Sequence, residues 1–268
     1  MSDYTIGVFD SGLGGLTAME ALSELCPNRD IVYFGDTGHM PYGGRSREQL
    51  LYMARKNVEF MESLGCKLIL AACGTVTSVA LDTVAKETAT PLFGVAEPAI
   101  AKAKELTRNN RIGFIATQAC IDSGFNQALL KKAIPEAEIL DRACPKFVPL
   151  IEQGICSLRD ERLYEAIDEY LRDIKAAGAD CLILGCTHYP IIAKAIGEYM
   201  GEGVNLISSG GEAAAALAGM ISSSDSSRPG KRTYYTSGDA ETFRCTAEQL
   251  LGKSLSGPVI GIEPYELI

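Results

Sequence analysis

Short aliphatic runs take turns with segments whose apolar residues fall three or four apart, and the alternation holds along almost the whole chain. A run of four to six apolar residues with no polar interruption suits a strand buried on both faces, the kind found in parallel sheets. Parallel neighbours need a crossover connection, which a helix supplies. Strands are therefore expected at 5–9, 30–34, 67–71, 91–95, 111–116, 137–140, 181–184 and 204–207. Helices are expected at 15–25, from Ser46, at 78–87, at 97–106, from about Ser123 and at 159–176. Ser46 and Gln49 have the spacing of a capping box, and Leu50, Leu51, Ala54, Val58 and Met61 share one face of the helix that follows. Gly65 is placed to stop it. The pattern implies an α/β fold of parallel sheets with helices on both faces.

The polar stretch SSSDSSRPGKR (222–232) reads as a surface loop. It lies too near the end of the chain to divide two equal domains, so YYTSGD (234–239) is expected to return to the first sheet.

With 268 residues, 47% of them hydrophobic and 22% charged, the chain can bury a sizeable core. A net charge of −9 argues against a nucleic-acid partner. It also repels small anions at long range, so an acidic substrate needs local donors such as backbone amides and hydroxyls. The opening MSDYTIGVFD has neither a basic region nor an apolar one, so no signal peptide is expected. The apolar stretch around 213–221 is too short to span a bilayer. A soluble, cytoplasmic protein with no membrane partner is the expectation.

Nine cysteines form no regular framework, and most read as small buried hydrophobes in a reducing compartment. Zinc fits poorly: there is no C-x-x-C pair, and His39 and His188 are the only histidines. No metal site is expected.

Two cysteines stand apart. LILAACGT (68–75) and LILGCTHYP (182–190) each run an aliphatic strand through small residues into a cysteine with a threonine close behind. The match suggests two similar halves. In open α/β sheets ligands bind at the carboxyl ends of strands, next to helix amino ends. That field is expected to lower the pKa of Cys73 and Cys186 towards neutrality, with His188 placed to tune Cys186. A nucleophilic mechanism needs one thiol. Two thiols facing each other suit proton transfer on opposite faces of one carbon, one as base and the other as acid. FDSGLGGLT (9–17) also follows a strand, but lacks the endings of a P-loop or a dinucleotide fingerprint. Its amides could hold a carboxylate, with Asp10 and Ser11 at the mouth of the cleft.

With FDSGLGGLT, GDTGHMPYG, AACGT and GCTHYP in this order, nearly the whole chain resembles the glutamate racemases of the aspartate/glutamate racemase family. These are cofactor-independent and supply D-glutamate for peptidoglycan. The resemblance implies two related parallel-sheet α/β domains in a pseudo-twofold arrangement, with the active site between them. The first domain is expected at 1–95 plus 208–268, and the second at 96–207. It further implies Cys73 and Cys186 as catalytic acid/bases, Asp10 and His188 as their assistants, and Glu152 in PLIEQG as a further acidic residue of the cleft. Asp10, Ser11, Pro41, Tyr42, Gly43, Gly74, Thr75, Thr117 and Thr187 match substrate-contacting positions. Glutamate is the implied partner, with no cofactor, and homodimers are common in the family.

Two departures touch polar substrate contacts. The family usually carries asparagine where this chain has Gly74, and a second threonine after Thr117 is here Cys120. Both give weight to aspartate or another acidic amino acid as substrate. A pyridoxal-phosphate racemase would need a Schiff-base lysine, and neither cysteine motif has one. A cysteine hydrolase built on Cys186 and His188 would leave Cys73 dispensable. A non-catalytic, gyrase-binding regulator would have no need of either thiol.

Overall fold

The computed structural model describes residues 4–221 and 228–267; the 222–227 part of the expected surface loop lies outside the described residues. Among the described residues ten strands run in chain order: β1 (Thr5–Asp10), β2 (Ile31–Gly35), β3 (Cys66–Ala71), β4 (Leu92–Phe93), β5 (Arg111–Ala116), β6 (Glu138–Ala143), β7 (Cys181–Leu184), β8 (Asn205–Ser208), β9 (Arg232–Thr236) and β10 (Val259–Gly261). They form two sheets, ordered β10-β9-β2-β1-β3-β4 and β6-β5-β7-β8. Every pairing in both is parallel.

Setting β9 and β10 aside, the two sheets have one order: second, first, third and fourth strand of each half. The similarity hinted at by the two cysteine motifs therefore extends to topology. As expected, the segment starting YYTSGD returns to the first sheet, where β9 pairs with β2.

Alternation in the strands divides their side chains between two apolar layers, the period of two inherent to extended chain. Leu68 and Leu70 of β3 enter one core with Ile6, Val8 and Tyr33. Ile69 and Ala71 enter the opposite core with Phe9, Phe34 and Met61. In β7, Leu182 and Leu184 face one layer and Cys181 and Ile183 the other.

The helices follow their signals where those are strong. Ser46 Oγ accepts from the Gln49 N–H and Gln49 Oε1 accepts from the Ser46 N–H, each at 3.2 Å, opening helix Arg47–Ser63. Gly65, at φ 79°, ends it. Helix Glu161–Ala176 begins on the Asp160 cap and buries Leu163, Ala166, Ile167, Tyr170, Leu171 and Ile174 along one stripe.

Elsewhere the boundaries move. The helix expected at 78–87 begins instead at Gly74 and runs as two pieces, Gly74–Val79 and Leu81–Val84. Its opening GTVTSV has poor helix propensity, and burial against neighbouring helices decides its conformation. The strand expected at 91–95 contracts to the two-residue edge strand β4. A short helix, Gln118–Asp122, capped by the Thr117 hydroxyl, precedes the helix expected near Ser123, and Gly124 at φ 65° separates them. The edge strand β10 is unanticipated. Among the described residues no helix is long and apolar enough to cross a membrane.

Candidate active site

Each cysteine of the matched pair stands two residues beyond the end of the third strand of its half: Cys73 after β3, Cys186 after β7. The adjacent first strands end on Asp10, followed by Ser11, and on Ala116, followed by Thr117. The carboxyl ends of both sheets thus meet at a cleft of about 620 Å³, within the range of small-molecule sites. Cys73 and Cys186 both line it, together with Ser11, Pro41, Tyr42, Gly43, Gly74, Thr75, Thr117, Glu152, Thr187 and His188. Sequence reasoning passed over Met40, Gly44, Gln118, Cys144, Pro145, Val148, Pro149, Gly185 and Tyr189, which line it as well. Gly185 lies inside LILGCT and could have been found. The wall formed by Pro145, Val148 and Pro149 carries no chemical signature.

Cys73 departs from the expected acidic thiol. Burial pushes its pKa up to about 12, and the nearby charges of Asp10 and Cys186 add to the rise. The Val76 N–H and Ser11 pull it back only in part; Cys73 Sγ donates to Ser11 Oγ at 3.7 Å. Desolvation of a thiolate outweighs the short helix that follows.

Cys186 has a different neighbour. Its sulfur lies 3.8 Å from His188 Nδ1, and His188 Nε2 lies 3.4 Å from Glu152 Oε1. The second contact is near enough for an ion pair but too poorly directed for a hydrogen bond. Burial works against the charged ring, yet Cys186, Glu152 and the charge of Asp10 outweigh it and hold the His188 pKa up at about 10. An imidazolium is therefore coupled to the Cys186 sulfur at neutral pH.

Asp10 is not at the mouth of the cleft; it is fully buried. Its Oδ2 accepts from the N–H groups of Gly12 and Gly15 at 3.2 and 3.0 Å, and its Oδ1 from the Thr187 hydroxyl at 3.3 Å. The carboxylate ties the glycine-rich turn of one half to the Cys186 loop of the other. Gly14 packs against the same loop: a Cβ there would lie 2.4 Å from His188 Nδ1 and 2.7 Å from its backbone nitrogen. The Thr75 and Thr117 hydroxyls meet across the cleft at 2.9 Å.

Tyr42 lines the cleft, and its hydroxyl is engaged by Asp36 and Asn57. Cys120 does not reach the cleft; it sits in a buried polar seam, 3.0 Å from Ser78 Oγ and 3.2 Å from Asn126 Nδ2. Gly74 has no room for a side chain, since a Cβ would lie 2.1 Å from the carbonyl oxygen of Gly185. Among the described residues no cluster of three or more His, Cys, Asp and Glu side chains could hold a metal ion.

Two like-ordered parallel sheets, each delivering a cysteine to one cleft, define an α/β protein equipped for acid–base chemistry on two sides of a small molecule. A family model described as Asp/Glu/Hydantoin racemase matches residues 14–218. The glutamate racemase of Aquifex aeolicus (strain VF5) is 38% identical over 262 residues, covering 98% of this chain and 99% of its own. The crystal structure of a Bacillus anthracis glutamate racemase isoform matches with a TM-score of 0.91 at 30% identity, covering 99% of this chain and 100% of that one. The glutamate racemase of Francisella tularensis subsp. tularensis SCHU S4, in complex with D-glutamate, matches with a TM-score of 0.88 at 31% identity, covering 98% of each chain. This chain belongs to the Asp/Glu/Hydantoin racemase family.

Proposed function

We propose that the protein interconverts D- and L-glutamate by moving a proton at Cα between two thiols, without a cofactor, and so supplies D-glutamate for peptidoglycan. The observation that carries the reading is the pair of cysteines, one from each half, at equivalent places on a single cleft.

Inversion at Cα needs a base on one side and an acid on the other, and the roles exchange with direction. Cys73, with its pKa near 12, rests as a neutral thiol ready to donate. Cys186 lies 3.8 Å from the His188 cation, the countercharge that its thiolate form needs when it acts as the base, and Glu152 faces that cation in turn. The thiolate takes the Cα proton, the electron pair stays on carbon next to the carboxylate, and the opposing thiol delivers its own proton to the other face. The reverse direction begins with Cys73 deprotonated. The α-ammonium of the bound amino acid favours that state, since a cation near a thiol opposes the effect of burial.

An acidic protein binding an acidic amino acid needs concentrated donors, and the cleft has them. Ser11, Thr75, Thr117 and Thr187 line it beside residues 41–44 and Gly74, the Thr187 hydroxyl being already given to Asp10. Asp10 acts through the turn and loop that it holds together. Glutamate is favoured over aspartate by the relatives, one of them in complex with D-glutamate. Both thiols are retained, as a non-catalytic gyrase-binding role would not require. The family resemblance supports a homodimer, and the free cysteines suit the reducing cytoplasm.

The test incubates each glutamate enantiomer with protein freed of metal and pyridoxal. Optical rotation is expected to decay to zero from either side. Unchanged glutamate alongside racemised aspartate would move the substrate assignment, and no change with either would remove the activity.

A further inference from the structure

Asp36 is fully buried in the loop that leads to the cleft, and four side chains converge on its carboxylate. His39 Nδ1 and the Ser237 hydroxyl reach Oδ1 at 2.7 and 2.6 Å. The hydroxyls of Tyr42 and Tyr265 donate to Oδ2 at 2.5 and 2.6 Å. Burial and the Asp36 charge raise the pKa of both phenols, so both remain donors.

Two of these donors, Ser237 and Tyr265, come from segments about two hundred residues away in the chain. Tyr265 comes from the segment after β10, a stretch with no secondary structure of its own. That segment leaves the sheet where the Ile262 N–H donates to Thr236 O at 2.8 Å. It then lays the Tyr265 ring on His39, with centroids 4.2 Å apart, and presents the Tyr265 carbonyl to His39 Nε2 at 2.8 Å. Tyr265 thus touches both ionisable members of the hub. On the other side of the hub, Tyr42 belongs to the cleft wall together with its neighbours Pro41 and Gly43.

We propose that residues 262–267 form a strap that sets the position of the 40–44 wall of the substrate cleft, with Tyr265 as a positioning residue acting through Asp36 and Tyr42. The proposal rests on the racemase reading of the cleft. Its physical basis is saturation of a buried carboxylate: an anion shielded from water needs its hydrogen bonds satisfied. With the strap lifted, Asp36 loses one donor and His39 loses an acceptor and a stacking partner. Tyr42 then shares the freed oxygen with water, and the backbone beside it shifts. The thiols lie on other elements and stay in place. Substrate binding therefore weakens while the chemical step persists.

The test compares the intact chain with a chain lacking residues 263–268, with Tyr265→Phe, which keeps the stacking and removes the hydroxyl, and with Asp160→Ala, which unpicks the cap of helix Glu161–Ala176, away from the hub and the cleft. KM and kcat for both glutamate enantiomers and thermal midpoints are measured. The truncation is expected to raise KM about tenfold and Tyr265→Phe about threefold, with kcat within about threefold of the intact chain. Asp160→Ala is expected to lower the midpoint with KM unchanged. If the intact chain racemises glutamate and the truncated chain's KM stays within about twofold, the strap is refuted. A lower kcat at unchanged KM, as loss of folded enzyme gives, refutes it too. If the intact chain does not racemise glutamate, it is the functional reading that fails.

Discussion

Replacing either Cys73 or Cys186 with serine is expected to lower kcat/KM for glutamate, in both directions, by at least about a thousandfold, or about 4 kcal/mol of transition-state stabilisation. Serine fills nearly the same space but is a far weaker acid, so it neither captures the Cα proton as an alkoxide nor matches the thiol as a proton donor near neutral pH. The fold has little at stake. The Cys73 sulfur has only weak polar partners, among them Ser11 Oγ at 3.7 Å, and each cysteine is a small member of a large apolar cluster. Thermal midpoints should move by only a few degrees. Racemisation needs both thiols, so the two variants should fail alike. The hydrolase alternative, centred on Cys186 and His188, leaves Cys73→Ser active, and full turnover by either variant would overturn the assignment.

The second large effect is expected at a residue with no side chain. Gly74→Ala places a methyl group 2.1 Å from the Gly185 carbonyl oxygen, far inside contact distance, and both obstructing groups are backbone. The helix behind Cys73 and the turn before Cys186 must separate, on the order of an ångström, and the thiols separate with them. A misplacement of that size between reacting groups costs about a hundredfold in rate. Overpacking adds about 1–3 kcal/mol of destabilisation. The observable is kcat/KM, measured well below the variant's thermal midpoint so that unfolding does not enter. Wild-type rates in Gly74→Ala would mean that the halves adjust freely and that their spacing is not set at this contact. For the same reason the asparagine usual in resembling sequences should not improve this enzyme when placed at Gly74.

What was legible in the sequence follows from where the signals come from. The buried strands were clear because β3 and β7 carry unbroken aliphatic runs, and the two cysteines were found because both runs end the same way. The Ser46–Gln49 cap is a local device and was readable locally. The helix at Gly74–Val79 was missed because packing, not propensity, makes it a helix, and β10 because an edge strand needs little apolar character. The direction of the Cys73 shift was misread for a related reason. Position at a strand end is visible in a sequence, whereas enclosure by the opposing half is not, and enclosure dominates. The burial of Asp10 and the inward turn of the Tyr42 hydroxyl were hidden likewise, since their partners Thr187 and Asp36 are set by tertiary structure.

The most direct measurement of the central claim is isotopic. One enantiomer of protiated glutamate is turned over in heavy water to a few per cent conversion, and both enantiomers are recovered and analysed at Cα. If a thiol on one face removes the proton and a solvent-equilibrated thiol on the other supplies its replacement, the new enantiomer carries deuterium while the unreacted one keeps its protium. Product that retains the original hydrogen, or deuterium entering both enantiomers equally from the start, would mean that a single group serves both faces, contradicting the account.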